Sequence, residues 1–198
     1  MIAFVRHGQT ELNRAGRLQG RVDAPLSEVG VQQAAALAES FAGSSVARVV
    51  SSPLQRAVAT AAAIAHRHGL DVEVDERLIE LDYGEWDARA LSDIAPADWA
   101  AWRADPAFAP PGGERLAEVT ARVSSFCADA LDGSSVVAVS HVSPIKAAVC
   151  AALGVGEAVT WRMQLAVASV TRIGARPDGG AYLASFNEVH HLPAHLRG

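Results

Sequence analysis

Three short apolar runs, set apart by helical patterns, constrain this chain most. They occupy residues 2–5, 46–50 and 135–139, and each breaks off at a polar segment able to do chemistry. Apolar runs of this length, bounded by turn signals, read as buried strands. The first ends at Arg6-His7-Gly8, the second at Ser51-Ser52-Pro53 and the third at Ser140-His141. Ser27 reads as the N-cap of a helix with an apolar stripe at Val31, Ala34, Leu37, Ala38 and Phe41. Pro53 behind a serine cap predicts a second helix that runs to about His68 and stops at Gly69. Residues 114–131 predict an amphipathic helix, and a further helix is expected from about Pro144 to Leu153. Val72 and Val74 alternate with acidic residues, as in an edge strand. Residues 164–173 and 181–186 predict two antiparallel strands joined at Pro177-Asp178-Gly179-Gly180.

Alternating strands and helices predict an α/β fold, a three-layer α/β/α sandwich on a mostly parallel mixed sheet. The late hairpin supplies the antiparallel edge. The 198 residues suit a single domain over 1–198 with a small cap-like insertion at about 85–113. That insertion holds three of the four tryptophans and ends in Pro110-Pro111-Gly112-Gly113, which predicts one or two short helices over a sheet edge.

Half of the residues are hydrophobic, enough for a sizeable core, and 20% are charged, which excludes wholesale disorder. The net charge of -5 speaks against a nucleic-acid partner, although local arginines can still form a positive pocket. The first residues lack the basic leader of a signal peptide, and no apolar run reaches the ~18 residues of a membrane span. A cytoplasmic protein without a membrane partner is expected. Cys127 and Cys150 are too few for a disulfide framework, and their spacing matches no zinc motif. His190, His191 and His195 have no second ligand cluster beside them, so they read as a solvated tail, and neither metal nor cofactor is expected.

Ligands of open α/β sheets bind beyond the carboxyl ends of the strands. Arg6, His7, Gly8, Arg56 and His141 all fall at such ends or in the first turn behind one. Two arginines with their planar forks and two imidazoles suit a phosphate dianion. A neutral imidazole is also a nucleophile, and Gly8 would let the backbone approach the ligand closely. The proton donor would come from Glu80, Asp82 or Glu85, three acids in one turn-like segment.

Arg6-His7-Gly8-Gln9-Thr10 with Asn13, Gln19-Gly20-Arg21, Ser51-Ser52-Pro53-Leu54 with Arg56, Glu80 with Asp82-Tyr83-Gly84-Glu85-Trp86, and Ser140-His141 together resemble the signature of the histidine phosphatase superfamily. This phosphoglycerate mutase-like family includes acid and alpha-ribazole phosphatases, and the resemblance covers residues 1 to about 153. The stretch Ser140-His141-Val142-Ser143-Pro144-Ile145-Lys146 is similar to an acid phosphatase domain attached to ribonuclease H in some actinobacteria. Where many relatives read Trp-Glu-Gly, this chain has Trp86-Asp87-Ala88, which leaves the loop geometry there open.

The resemblance implies that His7 accepts the phosphoryl group, that Arg6, Arg56 and a protonated His141 bind its oxygens, and that Glu80 is the general acid and base. It also implies a substrate-binding role for Gly8 and Val142, and for Asn13 and Gln19 unless these only shape the loop. The expected activity is a metal-independent phosphatase acting on a small phosphorylated substrate, with a homodimer possible by analogy. A cofactor-dependent phosphoglycerate mutase and a non-catalytic binding module are the alternatives.

Overall fold

The computed structural model describes residues 1–105 and 107–197. Six strands form one sheet in the order β3-β2-β4-β1-β5-β6: β1 (Ile2–Arg6), β2 (Arg48–Ser51), β3 (Val72–Val74), β4 (Val136–Ser140), β5 (Val170–Ala175) and β6 (Ala181–Glu188). The first four in that order run parallel, and β5 and β6 are antiparallel additions beside β1. The helices are α1 (Glu11–Arg14), α2 (Glu28–Phe41), α3 (Gln55–His68), α4 (Pro96–Ala104), α5 (Leu116–Ala130) and α6 (Val142–Leu153). Among the described residues no helix is long and apolar enough to cross a membrane.

The strands look like unbroken apolar runs because both faces of the sheet are covered. Side chains alternate across a strand. Ile2 and Phe4 of β1 therefore enter one core with Val136 and Ala138 of β4, while Ala3 and Val5 enter the other with Val137 and Val139. Val119, Val123 and Phe126 of α5 and Ile145 and Val149 of α6 close the first core. Leu37 and Phe41 of α2 and Ala57, Ala61 and Ile64 of α3 close the second. The result is the expected three-layer α/β/α sandwich.

Register brings the chemistry together. Arg6 pairs with Ser140 and Ser51 with Val139, so His7, Ser52 and His141 leave the sheet side by side. The His7 N–H donates to Ser140 O (3.1 Å) and the Ser52 N–H to Val139 O (2.9 Å).

Several local expectations are corrected. Helix α3 starts at Gln55 without a serine cap. Its Gln55 N–H donates instead to the Asp23 carboxylate (2.7 Å), a favourable charge at a helix N-terminus, and the Ser52 hydroxyl is taken by His141. Strand β5 starts only at Val170, because the segment before it turns toward the first loop: Arg6 Nη1 donates to Leu165 O (2.6 Å) and the Ala168 N–H to His7 O (3.1 Å). Helix α6 starts at Val142, two residues early. His190 and His195 are exposed as expected, but the segment that carries them is docked rather than free. Leu192 and Leu196 are buried in the second core, and Gln33 of α2 donates its Nε2 to Leu196 O while accepting from the Gln9 N–H. Helix α4 in the 85–113 segment packs against residues 157–162 rather than on a sheet edge.

Helix α2 touches the loop behind β1 directly. A Cβ on Gly30 would lie 2.0 Å from Gln9 O, and one on Gly8 would lie 2.5 Å from Gly30 O. A Cβ at Gly8 is therefore excluded by α2. Both contacts are backbone and cannot yield like a side chain. Gly30→Ala should destabilise the protein by about 1–3 kcal/mol, read as a fall of about 2–4 °C in Tm per kcal/mol. A Tm within about 1 °C of the parent protein would show that the contact relaxes freely.

Candidate active site

The ends of β1, β2 and β4 border a cavity of about 360 Å3. Arg6, His7, Asn13, Gln19, Glu80 and Val142, six of the nine residues singled out from sequence, line it. Arg56, His141 and Gly8 stand behind its wall.

His7 is buried, and its Nδ1 lies 2.7 Å from Gly8 O. A carbonyl only accepts, so Nδ1 carries the proton and Nε2 keeps a bare lone pair. Burial, then Arg56 and Arg6, hold its pKa well below the ordinary imidazole range. His7 is thus a neutral imidazole with one assigned tautomer. The His141 ring is 5.0 Å away, centroid to centroid, and its Nε2 meets Ser52 Oγ at 2.7 Å. Burial, Arg56 and His7 hold its pKa well below the ordinary imidazole range too. The expectation of a protonated His141 is therefore corrected for the free site: without an anion nothing there favours a second charge.

Both arginines are braced by carbonyls rather than by carboxylates. Arg56 is fully buried on the first turn of α3 and donates Nη1 to Val22 O (2.8 Å) and Nη2 to Gly20 O (2.7 Å). One turn on, Thr60 Oγ1 accepts from the Gly8 N–H (3.1 Å) and donates to Arg56 O (2.8 Å), tying helix to loop. Arg6 loses solvation on burial, which brings its pKa down to about 10, and it stays cationic at neutral pH. The Nε atoms of both arginines, Nδ1 of His141 and Nε2 of Gln19 are buried and have no hydrogen-bond partner among the described residues. Each buried N–H left without an acceptor costs about 1–3 kcal/mol, which an anion's oxygens would recover.

Of the three candidate acids, only Glu80 lines the cavity. Asp82 and Glu114 share a shallow pocket with Arg21, and Glu85 is exposed. Glu80 sits at the N-terminus of α6. Its Oε1 accepts from the N–H groups of Leu81 (2.8 Å) and Ser143 (3.1 Å), and its Oε2 from Val142 N–H (3.0 Å). Those bonds favour the ionised form, yet desolvation outweighs them and raises the pKa. The Ser143 N–H also reaches Oε2, but only at 3.5 Å, so Oε2 has the freer lone pair and is the oxygen to carry a proton. The Val142 N–H is committed to Glu80, so only its side chain is left for a ligand. Asn13 and Gln19 line the cavity and shape the loop as well: Thr10 Oγ1 donates to Gln19 Oε1 (2.6 Å), and Asn13 Oδ1 accepts from the Thr10 N–H (3.1 Å).

Further contributors, Trp161 among them, carried no signal in the sequence. Ser143 and Lys146 line the cavity from α6, at the helical spacing that follows Val142. Asp87 accepts backbone N–H bonds from Gly20 (2.7 Å), Arg21 (2.9 Å) and Val22 (2.8 Å). The Gly20 and Val22 carbonyls are the ones that hold Arg56, so Asp87 fixes the loop on which that guanidinium rests. The departure at Trp86-Asp87-Ala88 is thereby explained. The shorter acid still clamps the loop, and Ala88 takes the left-handed backbone (φ 61°) that glycine adopts more readily. Trp86 lies in the core, whereas Trp99 and Trp102 line the cavity. Glu114 neither caps α5 nor reaches the cavity. It pairs with Arg122, and Glu118 supplies the capping carboxylate.

Asp87→Ala should weaken binding of orthovanadate about tenfold or more, the loss of a charge-assisted anion contact made indirectly, while Asp87→Glu keeps most of it. Unchanged vanadate affinity in Asp87→Ala, measured by inhibition or calorimetry, would show that Arg56 needs no such support.

The sequence pattern of the histidine phosphatase superfamily (branch 1) matches residues 2–188. The chain is 37% identical, over 96% of its length, to a bifunctional protein of Mycobacterium tuberculosis, and spans 54% of that relative. It is 36% identical to phosphoserine phosphatase 1 of Hydrogenobacter thermophilus, covering 81% of this chain and 79% of the relative. The solved structure of mycobacterial glucosyl-3-phosphoglycerate phosphatase superposes with a TM-score of 0.85 at 32% identity, covering 95% of this chain and 98% of that one. Sequence pattern, fold and the pairing of His7 with His141 at adjacent strand ends agree: the chain belongs to the histidine phosphatase superfamily, branch 1.

Proposed function

We propose that this protein is a metal-independent phosphatase that hydrolyses a small phosphomonoester through a phosphohistidine on His7. The observation that carries the reading is the neutral His7, its tautomer locked by Gly8 O and its bare Nε2 in a cavity it shares with Arg6 and Glu80. The phosphatase names of the two relatives above support it.

His7 Nε2 attacks phosphorus in line, an N–P bond forms, and the bond to the leaving oxygen breaks. Glu80 Oε2 gives its proton to that oxygen. Glu80, now ionised, takes a proton from water, which attacks phosphorus. The N–P bond then breaks, and phosphate and neutral His7 are released. Arg6, Arg56 and His141 neutralise the equatorial oxygens, the main demand of phosphoryl transfer. The substrate's own negative charge offsets the arginines, so His141 takes up its proton as substrate binds. Asn13 and Gln19 complete the lining, and the 85–113 segment acts as a cap within a single domain.

The test is phosphate release from a panel of phosphomonoesters with chelator present, beside an isomerisation assay on 3-phosphoglycerate. His7→Ala should abolish turnover and leave no phosphoenzyme. Dominant isomerisation, or chelator-sensitive hydrolysis, would overturn the proposal.

Glu80 acts as an acid only when protonated. A raised pKa keeps it protonated above the ordinary carboxylate value of about 4.3, and activity falls as pH rises through its folded value. His7 works only when neutral, and its lowered pKa preserves activity below the ordinary imidazole value of about 6.5. In single-turnover formation of the phosphoenzyme, before water is activated, Glu80→Gln should slow alkyl phosphates about 100-fold or more and p-nitrophenyl phosphate far less. Equal losses on both esters would assign the acid elsewhere.

A further inference from the structure

The proposed chemistry uses the inner end of the cavity and leaves its outer end unassigned. There Trp99, Trp102 and Trp161 form a wall. Trp99 and Trp102 stack at 5.7 Å and 15°, and Trp161 stands edge-on to Trp102 at 4.9 Å and 77°. The Arg103 guanidinium lies over Trp99 and Trp161, 5.8 and 6.0 Å from their rings. Stacking and cation–π contacts hold these indoles in place before any ligand arrives.

Lys146 lines the same cavity. It lies about one helical turn, roughly 6 Å of rise, beyond Val142, whose N–H holds Glu80. It is half-buried, no side chain hydrogen-bonds or ion-pairs with its ammonium among the described residues, and the main opposite charge acting on it is the more distant Glu80. Of the other cations at this end, Arg17 is exposed and already donates Nη1 to Ala88 O (2.8 Å), and exposed Arg103 lies over the indoles. A single ammonium beside an apolar wall attracts one negative charge strongly, because water screens it poorly there. The indole faces repel an anion and accept a ring or other planar body. A cavity of about 360 Å3 has room for such a group beside the phosphoryl site.

We propose that the leaving alcohol of the substrate carries a carboxylate that pairs with Lys146 and a ring that packs on Trp99 and Trp161. This rests on the phosphatase reading of the same cavity. Lys146 then sets specificity, and the indole wall selects ring-bearing esters over short aliphatic ones.

Four esters separate charge from shape: propyl, 2-carboxyethyl, benzyl and 4-carboxybenzyl phosphate. All four leave as alkyl alcohols, so differences in kcat/KM report recognition rather than leaving-group acidity. 4-Carboxybenzyl phosphate should exceed both benzyl and 2-carboxyethyl phosphate by about tenfold or more, the value of one charged hydrogen bond or one aromatic contact. Lys146→Met should collapse the ratio of 4-carboxybenzyl to benzyl phosphate about tenfold, and Lys146→Arg should restore most of it. Trp161→Ala should lower the ratio of benzyl to propyl phosphate. A carboxylate preference that survives Lys146→Met, or an absent ring preference, overturns the assignment. If none of the esters is hydrolysed, the phosphatase reading fails by itself. Binding of 4-carboxybenzylphosphonate against benzylphosphonate to the parent protein and to Lys146→Met, by calorimetry, then decides the Lys146 assignment separately, and a preference below about threefold overturns it.

Discussion

Burial of the Arg56 guanidinium is the constraint on which the rest of this site depends. Taking a full charge out of water costs several kcal/mol even after the surroundings relax. Among the described residues no carboxylate pairs with Arg56 directly. The Gly20 and Val22 carbonyls accept from its two terminal nitrogens, and Asp87 holds that loop in place by its backbone N–H groups. The charge of Arg56 is thus stabilised without being neutralised. A guanidinium locked onto a carboxylate would have little affinity left for a phosphate.

That uncompensated charge accounts for the protonation states around it. Arg56 and Arg6 reinforce desolvation at His7 and His141, so both imidazoles are neutral. At Glu80 the same arginine favours ionisation, yet burial prevails and the carboxyl's pKa rises. One low-dielectric site therefore lowers the pKa of its bases and raises that of its acid. The proposed mechanism needs this pairing: a base ready to attack and an acid ready to give up a proton over one pH range.

The outer half of the cavity follows another logic. Its walls come from α4, α6 and residues 157–162, none of which holds the phosphoryl-binding groups except at the start of α6. Inner chemistry and outer recognition meet on that helix. Val142 and Ser143 hold Glu80, and Lys146 faces the proposed leaving group one turn later. The 85–113 segment serves both ends of the cavity: Asp87 holds the loop beneath Arg56, and Trp99 and Trp102 line the outer wall.

Much of this was legible in the amino-acid sequence. Apolar runs at β1, β2 and β4 marked strands buried on both faces, because both side-chain sets of a covered strand are apolar. Reactive residues directly behind those runs marked the sheet edge, and the ordered motifs singled out His7, Arg56, Glu80 and His141. Tertiary structure decided what depends on distant partners. Ser52 left its capping role for His141, eighty-nine residues away. The space at Gly8 was claimed by α2, and Glu80 was chosen over Asp82 and Glu85 because only its side chain points into the cavity. Asp87 and Lys146 carried no local signal, since an acid in a loop and a lysine on a helix are usually solvated. The sequence determined which elements form and which residues stand at their ends, because periodicity and capping act over a few neighbours. Charge states, loop supports and the cavity wall were settled only by the fold, because burial and Coulomb interactions depend on what lies nearby in space.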